Sequence, residues 1–179
     1  MNLPARSRVI LAAVVLLGGG AWALARSTSR PIEVGTRAPD FTAMDLSTNH
    51  TTSLREKYRG VVTLVNVWAT YCIPCRAEMP AMDSLYHALG PKGFRIAAVS
   101  VDRAPVEVVR KFVHDYHISF DVLYDPSGET EDRYQTTGVP ESFLVDKGGH
   151  IVRIAQRAAP WNSPENHQLI EQLLAAPAN

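Results

Sequence analysis

The chain has 179 residues, 46% apolar and 20% charged, so it is long enough for one domain, or one domain and an anchor. That composition excludes a largely disordered, collagenous or coiled-coil protein. The formal charge is zero, yet Arg6, Arg8, Arg26 and Arg30 all precede the first acidic residue, Glu33, and the rest carries 14 basic against 18 acidic residues. A mildly acidic body without a basic stripe argues against a nucleic-acid partner, because phosphate binding needs clustered cations. Two cysteines are too few for a disulfide-stapled scaffold or for a structural zinc site built mainly from thiolates.

Residues 1–30 read as a segment apart from the fold. Arg6 and Arg8 precede Val9 to Ala25, an uncharged run of 17 residues. As a helix that run would span roughly 25 Å, at the short end for crossing a bilayer, with the basic residues holding its start in the cytoplasm. Ala23-Leu24-Ala25 also fits a small-x-small cleavage site, and Gly18-Gly19-Gly20 would break a helix just before it. A retained single-pass anchor and a cleaved export signal both stay open. Either places the body outside the cytoplasm, in a bacterium on the oxidising side of the membrane, where a cysteine pair can cycle through a disulfide. Ser27 to Pro31 reads as a short tether, and the domain as residues 31–179.

Along that body, Phe41 to Leu46 predicts a short strand, followed by the polar turn Ser47-Thr48-Asn49-His50. Ser53 predicts the cap of a short helix through Tyr58, ended by Gly60. Val61 to Val67 is almost continuously apolar and β-branched, as a strand covered on both faces would be. After Cys72, apolar residues recur at helical spacing from Cys75 to Leu89, and Gly90-Pro91 stops them. Phe94 to Val101 predicts a second buried strand, and Val106 to Tyr116 a second helix behind Pro105. Val122 to Tyr124 predicts a strand, Glu129 to Gln135 a short helix, and Ser142 to Val145 with Ile151 to Ile154 a hairpin around Lys147-Gly148-Gly149. Ser163 then caps a terminal amphipathic helix through Ala175. Strands alternating with helices, then a hairpin and a helix, predict an α/β fold with a central mixed sheet flanked by helices.

Cys72-Ile73-Pro74-Cys75 lies directly after a buried strand and at a helix start. A helix N-terminus offers free N–H groups and partial positive charge, which stabilise a thiolate. Cys72, at the very end, reads as the exposed nucleophile, and Cys75, one turn inside, as the thiol that resolves the mixed disulfide. Pro74 suits a first turn because its missing N–H would have no partner there. A metal site needs at least two more ligands, and none of the six histidines stands near the motif; His114 and His117 read as a solvated helix face.

Residues 65–80, Val-Asn-Val-Trp-Ala-Thr-Tyr-Cys-Ile-Pro-Cys-Arg-Ala-Glu-Met-Pro, resemble the thioredoxin superfamily, and the whole body resembles its TlpA/ResA-like branch of extracytoplasmic thioredoxins. The likeness takes in the lead-in Val34-Gly35-x-x-Ala38-Pro39-Asp40-Phe41, the block Gly138 to Asp146, and the helix and strand near 105–124 that match an insertion of this branch. Pro80 matches the proline inside the active-site helix. The resemblance implies a thioredoxin fold and a thiol–disulfide oxidoreductase. It implies a reductant of exported protein disulfides, as in cytochrome c maturation, fed electrons by a membrane thiol carrier and needing no cofactor.

It also implies roles for single residues. Tyr71 stands where most relatives have Trp, keeping a flat aromatic surface. Asn66 stands where thioredoxin has a buried, titrating Asp, and Glu78 matches the acid that takes over part of that role in this branch. By spacing alone, Glu78 is either a shielded acid beside Cys75 or a solvent-facing helix residue; a shielded one would have a raised pKa. Pro140 resembles the superfamily's cis-proline, which would expose the backbone of Val139 to a substrate strand; an ordinary trans turn is the alternative. Trp68 reads as packing under the site, and Glu141 as a residue that helps choose a substrate. Two rival functions remain. A thiol peroxidase of the peroxiredoxin type shares the Ala38-Pro39-Asp40-Phe41 lead-in but needs Thr and Pro where this chain has Ala69 and Val65. A copper-binding assembly chaperone on the same fold generally spaces its cysteines three apart and adds a distal His, which the Val139-Pro140 loop lacks.

Overall fold

A strand with almost no polar face must be covered on both sides. The run from Val62 to Trp68 satisfies that demand as β3 (Thr63–Trp68), every residue of which is buried. In the computed structural model, which describes residues 31–177, β3 is the hub of the sheet. On one side it pairs in parallel with β4 (Arg95–Ser100), from Thr63 opposite Arg95 to Trp68 opposite Ser100, and β4 in turn with β5 (Asp121–Tyr124). On the other side β6 (Glu141–Val145) runs antiparallel to β3, and β7 (Ile151–Ala155) antiparallel to β6. Beyond β5 lie β1 (Thr42–Asp45) and the edge strand β2 (Thr51–Ser53), giving the order β2-β1-β5-β4-β3-β6-β7. The predicted mixed sheet is therefore present, with seven strands.

Parallel neighbours need long crossovers, and helices supply them. Before β3 stands α1 (Leu54–Tyr58), whose Ser53 cap accepts the Glu56 N–H at 3.2 Å. α2 (Ile73–Leu89) joins β3 to β4, and α3 (Val106–Asp115) joins β4 to β5. α4 (Glu129–Tyr134) precedes β6, and α5 (Pro164–Ala175) closes the chain with Ser163 accepting the Asn166 N–H at 3.4 Å. Among the described residues no helix is long and apolar enough to cross a membrane. The apolar run at 9–25, read above as anchor or export signal, lies outside the described residues.

Two local details differ from the sequence reading. β2 was not foreseen: three polar residues at a sheet edge carry no alternation, and only the turn before them, with Asn49 at φ 61°, shows that a hairpin forms. The end of α2 also differs. Gly90 keeps right-handed helical geometry and opens a single tight turn, Gly90–Lys92; the left-handed residue that ends it is Gly93, at φ 102°.

One buried side chain fixes the loop that leaves β3. Asp102, just past the end of β4, is 1% exposed. Its carboxylate accepts the Thr70 N–H at 2.9 Å, the Thr70 hydroxyl at 2.5 Å and the Ser100 hydroxyl at 2.7 Å. Thr70 lies two residues before Cys72, so this clamp sets where the cysteine helix begins. Replacing Asp102 by Ala would leave three donors without their acceptor, the Ser100 hydroxyl fully buried and the two of Thr70 half-buried. We expect Asp102→Ala to lower stability by on the order of 3 kcal/mol or more, and Asp102→Asn, which keeps one acceptor, to cost less. Denaturant midpoints of the oxidised variants check this; a midpoint for Asp102→Ala at the wild-type value would show that the clamp holds nothing.

Candidate active site

The loop from Ala69 to Tyr71 delivers the chain to α2, and Cys72 is the residue that caps it. Cys72 has extended backbone geometry, and its Sγ accepts the Cys75 N–H at 3.1 Å, the bond a cap side chain makes at a helix start. Pro74 occupies the first turn. Cys72 and Cys75 are joined as a disulfide with their Cα atoms 5.3 Å apart. The pair is asymmetric: Cys72 keeps 7% of its surface open, Cys75 none. The flanking Tyr71 and Ile73 are far more open, at 70% and 76%.

The turn before β6 meets this helix start. The Val139–Pro140 peptide is cis, so the alternative of an ordinary trans turn falls. The Val139 carbonyl lies 3.5 Å from Cys72 Sγ. Glu141, expected to help choose a substrate, is instead buried. Its carboxylate accepts the Thr137 N–H at 3.1 Å and so braces the turn from behind. Burial raises its pKa, and the bonds from Thr137 and the Gln156 side chain hold it back.

Glu78 is not a solvent-facing residue. It is 4% exposed and turned from α2 toward the sheet. One oxygen accepts Asn66 Nδ2–H at 2.9 Å and the other the Ala159 N–H at 3.1 Å. The indole N–H of Trp161 lies near the same carboxylate without completing a hydrogen bond of good geometry. Burial pushes the Glu78 pKa up to about 7, and the Ala159, Asn66 and Trp161 donors only partly oppose it. Asn66 is fully buried in β3, opposite Ser142 of β6, and its Nδ2 also donates to Ser142 Oγ at 2.8 Å. Its Oδ1 has no partner among the described residues.

An aromatic column supports the helix from beneath. Trp68, fully buried, packs on Phe112 of α3 at 4.9 Å between ring centres, and Phe112 stacks on Tyr116 at 4.1 Å. Arg76, next to Cys75, donates to the Tyr116 hydroxyl at 2.9 Å, which ties the first turn of α2 to the end of α3.

The structure thus brings Cys72, Cys75 and Val139-Pro140 together, leaves Tyr71 exposed beside them, and sets Glu78 one turn deeper on the same helix. Sequence reasoning missed four partners: Ser142, Asp102, Ala159 and Trp161. A hydroxyl in the apolar run of β6 and a carboxylate closing β4 were visible signals, since buried polar groups have partners. The Ala159 N–H carries no side-chain signal at all. Among the described residues no group of three His, Cys, Asp or Glu is placed to hold a metal ion. Ala69 and Val65, where peroxide chemistry would need Thr and Pro, are fully buried apolar residues.

Comparison with known proteins agrees with this geometry. The AhpC/TSA family matches residues 34–154. The chain is 33% identical over 164 residues to the thiol-disulfide oxidoreductase ResA of Oceanobacillus iheyensis, covering 90% of this chain and 85% of that one. It is 30% identical over 166 residues to ResA of Geobacillus kaustophilus, covering 93% and 94%. Among solved structures, one assigned as the thiol:disulfide interchange protein DsbE of Chlorobium tepidum superimposes with a TM-score of 0.72 at 29% identity, over 80% of this chain and 99% of that one. The match spans the sheet from its first strand, the cysteine pair and the cis-proline turn, and it makes the chain a member of the AhpC/TSA family, among its ResA-like thiol–disulfide oxidoreductases.

Proposed function

We propose that the domain of residues 31–179 works outside the cytoplasmic membrane as a reductant of disulfides in exported proteins. Residues 9–25 hold it there as a single membrane span, and a membrane thiol carrier re-reduces it. One observation carries the assignment of roles. Cys72 stands at the cap of α2 with its Sγ beside the Val139 carbonyl and keeps 7% of its surface open, whereas Cys75 keeps none.

In the reduced form the Cys72 thiolate is stabilised by the helix start and attacks one sulfur of the substrate disulfide. The other substrate sulfur leaves as a thiolate and takes up a proton. Cys75 then gives its proton to Glu78 and attacks Cys72, which forms the Cys72–Cys75 disulfide and releases the second substrate thiol. Two electrons pass to the substrate, and the carrier returns them. Tyr71 and the Val139-Pro140 backbone provide the docking surface, an incoming strand pairing with Val139. Glu78 suits its part because its pKa of about 7 lets it exchange a proton near neutrality. Asn66 accommodates both states of that acid. Its Nδ2 donates to the carboxylate, and a turn of the same amide offers Oδ1 to the protonated form.

Three outcomes check this reading. Cys75→Ser should accumulate a mixed disulfide through Cys72, and Cys72→Ser should form none and turn over no substrate; mass spectrometry of trapped adducts decides, and adducts on Cys75 alone would reverse the roles. The potential of the pair should lie nearer the roughly −270 mV of thioredoxin than the roughly −120 mV of strongly oxidising periplasmic dithiols; a value at the latter would refute the reductant direction.

The third concerns Glu78. Its folded pKa stands above its ordinary 4.5, so the folded state holds the proton more tightly than the unfolded one. Stability should therefore fall as pH rises from about 4.5 to 7 and level off above, by on the order of 3 kcal/mol. Glu78→Gln offers one acceptor where the carboxyl group offers two, so it should be less stable than the wild type at low pH, where Glu78 is protonated, and that slope should vanish. Its disulfide exchange should slow by less than about 100-fold, since water can partly substitute. Denaturant titrations and reduction rates from pH 4 to 9, a range bracketing roughly the carboxyl and thiol pKa values, read both effects. Identical slopes in the two proteins would make Glu78 a bystander.

A further inference from the structure

The sequence has no basic stripe, but the fold gathers cations that lie far apart along it. At the end of β3 where Thr63 enters the sheet, opposite to Trp68 and the cysteines, there is a cavity of about 440 Å³. The lead-in before β1, the end of α1 and the turn between β6 and β7 enclose it. Its walls carry Arg37, Arg55, Arg59 and Lys147 against a single carboxylate, Asp146. This excess of cations sits on a body that is acidic as a whole.

Two of the four cations already have partners. Arg55 lies 3.9 Å from Asp40, and Lys147 Nζ donates to the carbonyls of Leu174 and Ala176 at 2.6 and 2.8 Å. Asp146 accepts the His150 N–H at 2.8 Å. The guanidinium groups of Arg37 and Arg59 have no hydrogen bond or ion pair among the described residues. Arg37 lies over the β6–β7 turn, its Nη1 in van der Waals reach of Gly149, whose φ of +83° is the left-handed geometry that favours glycine. The buried side chains of Leu54, Tyr58 and Val145 form an apolar floor. Unpaired guanidinium forks match phosphate oxygens in geometry as well as charge. The volume falls within the roughly 300–1,000 Å³ of small-molecule sites.

We propose that this cavity binds a phosphate-bearing anion, Arg37 and Arg59 holding the phosphate and the apolar floor the adjoining carbon chain, and that its source is the headgroup of an anionic phospholipid. The source rests on residues 9–25 being a membrane span, as proposed above. Arg37 stands twelve residues after Ala25, so the connecting chain reaches about 40 Å at most, and the headgroups lie within that range.

The test uses the full-length protein in a neutral detergent, titrated calorimetrically with dihexanoyl phosphatidylglycerol, dihexanoyl phosphatidylcholine and inorganic phosphate. Phosphatidylglycerol should bind at least tenfold tighter than the other two. The double variant Arg37→Ala/Arg59→Ala should lose at least tenfold in that affinity while reducing disulfides at the wild-type rate, because the cavity is at the far end of β3 from Cys72. Both arginines are exposed and unpaired, so the variant should fold. Absence of binding, or equal affinity in wild type and variant, would overturn the site. Inorganic phosphate binding as tightly as phosphatidylglycerol would overturn the lipid as source and leave a free-phosphate site. Retention of the chain in washed membranes reads the anchor separately: a chain that washes off, yet still binds phosphatidylglycerol through the two arginines, sinks the anchor and keeps the cavity.

Discussion

A strand buried along its whole length cannot leave a polar side chain to water, and β3 carries one in its middle. Asn66 must find its partners inside the protein. It finds Ser142 across the β3–β6 pairing and Glu78 above it on α2. Those two bonds link the sheet to the cysteine helix at the level of the reactive pair. A carboxyl group is thereby held in the interior against its preference for water, and the cost shows as a raised proton affinity. The acid–base property at the site is thus a consequence of how β3 is packed. An apolar residue at position 66 would leave Glu78 with one donor fewer, and a carboxylate there would set two negative groups side by side.

The same economy governs the cysteines. A helix start needs something to accept its free N–H groups. Here a sulfur does so, which places the reactive atom where a negative charge is best stabilised. Capping and activation are one contact. The clamp from Asp102 to Thr70 fixes the loop just before it, and the column Trp68–Phe112–Tyr116 with Arg76 fixes the turn just after it. The sulfur of Cys72 therefore sits between two attachments, with Tyr71 and Ile73 projecting outward on either side of it.

What the sequence disclosed follows from what kind of interaction does the work. The covered strands, the capped helices and the cysteine pair are written in residue type and spacing, so β3, β4, α2 and the β6–β7 hairpin could be read directly. The cis-proline turn and the burial of Glu78 came through resemblance, because a peptide isomer and the inward turn of one helix residue leave no periodic trace. Ala159 was beyond reading: it contributes a backbone N–H, delivered to Glu78 across 81 residues by the return of the chain after β7. β2 escaped for the opposite reason, since a three-residue polar edge strand is built by its hairpin turn rather than by its own side chains.

The two ends of β3 hold their ionisable groups differently. At the Trp68 end three carboxyl groups, Glu78, Glu141 and Asp102, are buried, each held by donors from neighbouring elements. At the Thr63 end the free charges are guanidinium groups around an open cavity. A buried carboxylate ringed by donors answers to a proton, whereas an unpaired guanidinium at an open surface answers to an anion, so the two ends of one strand suit different chemistry.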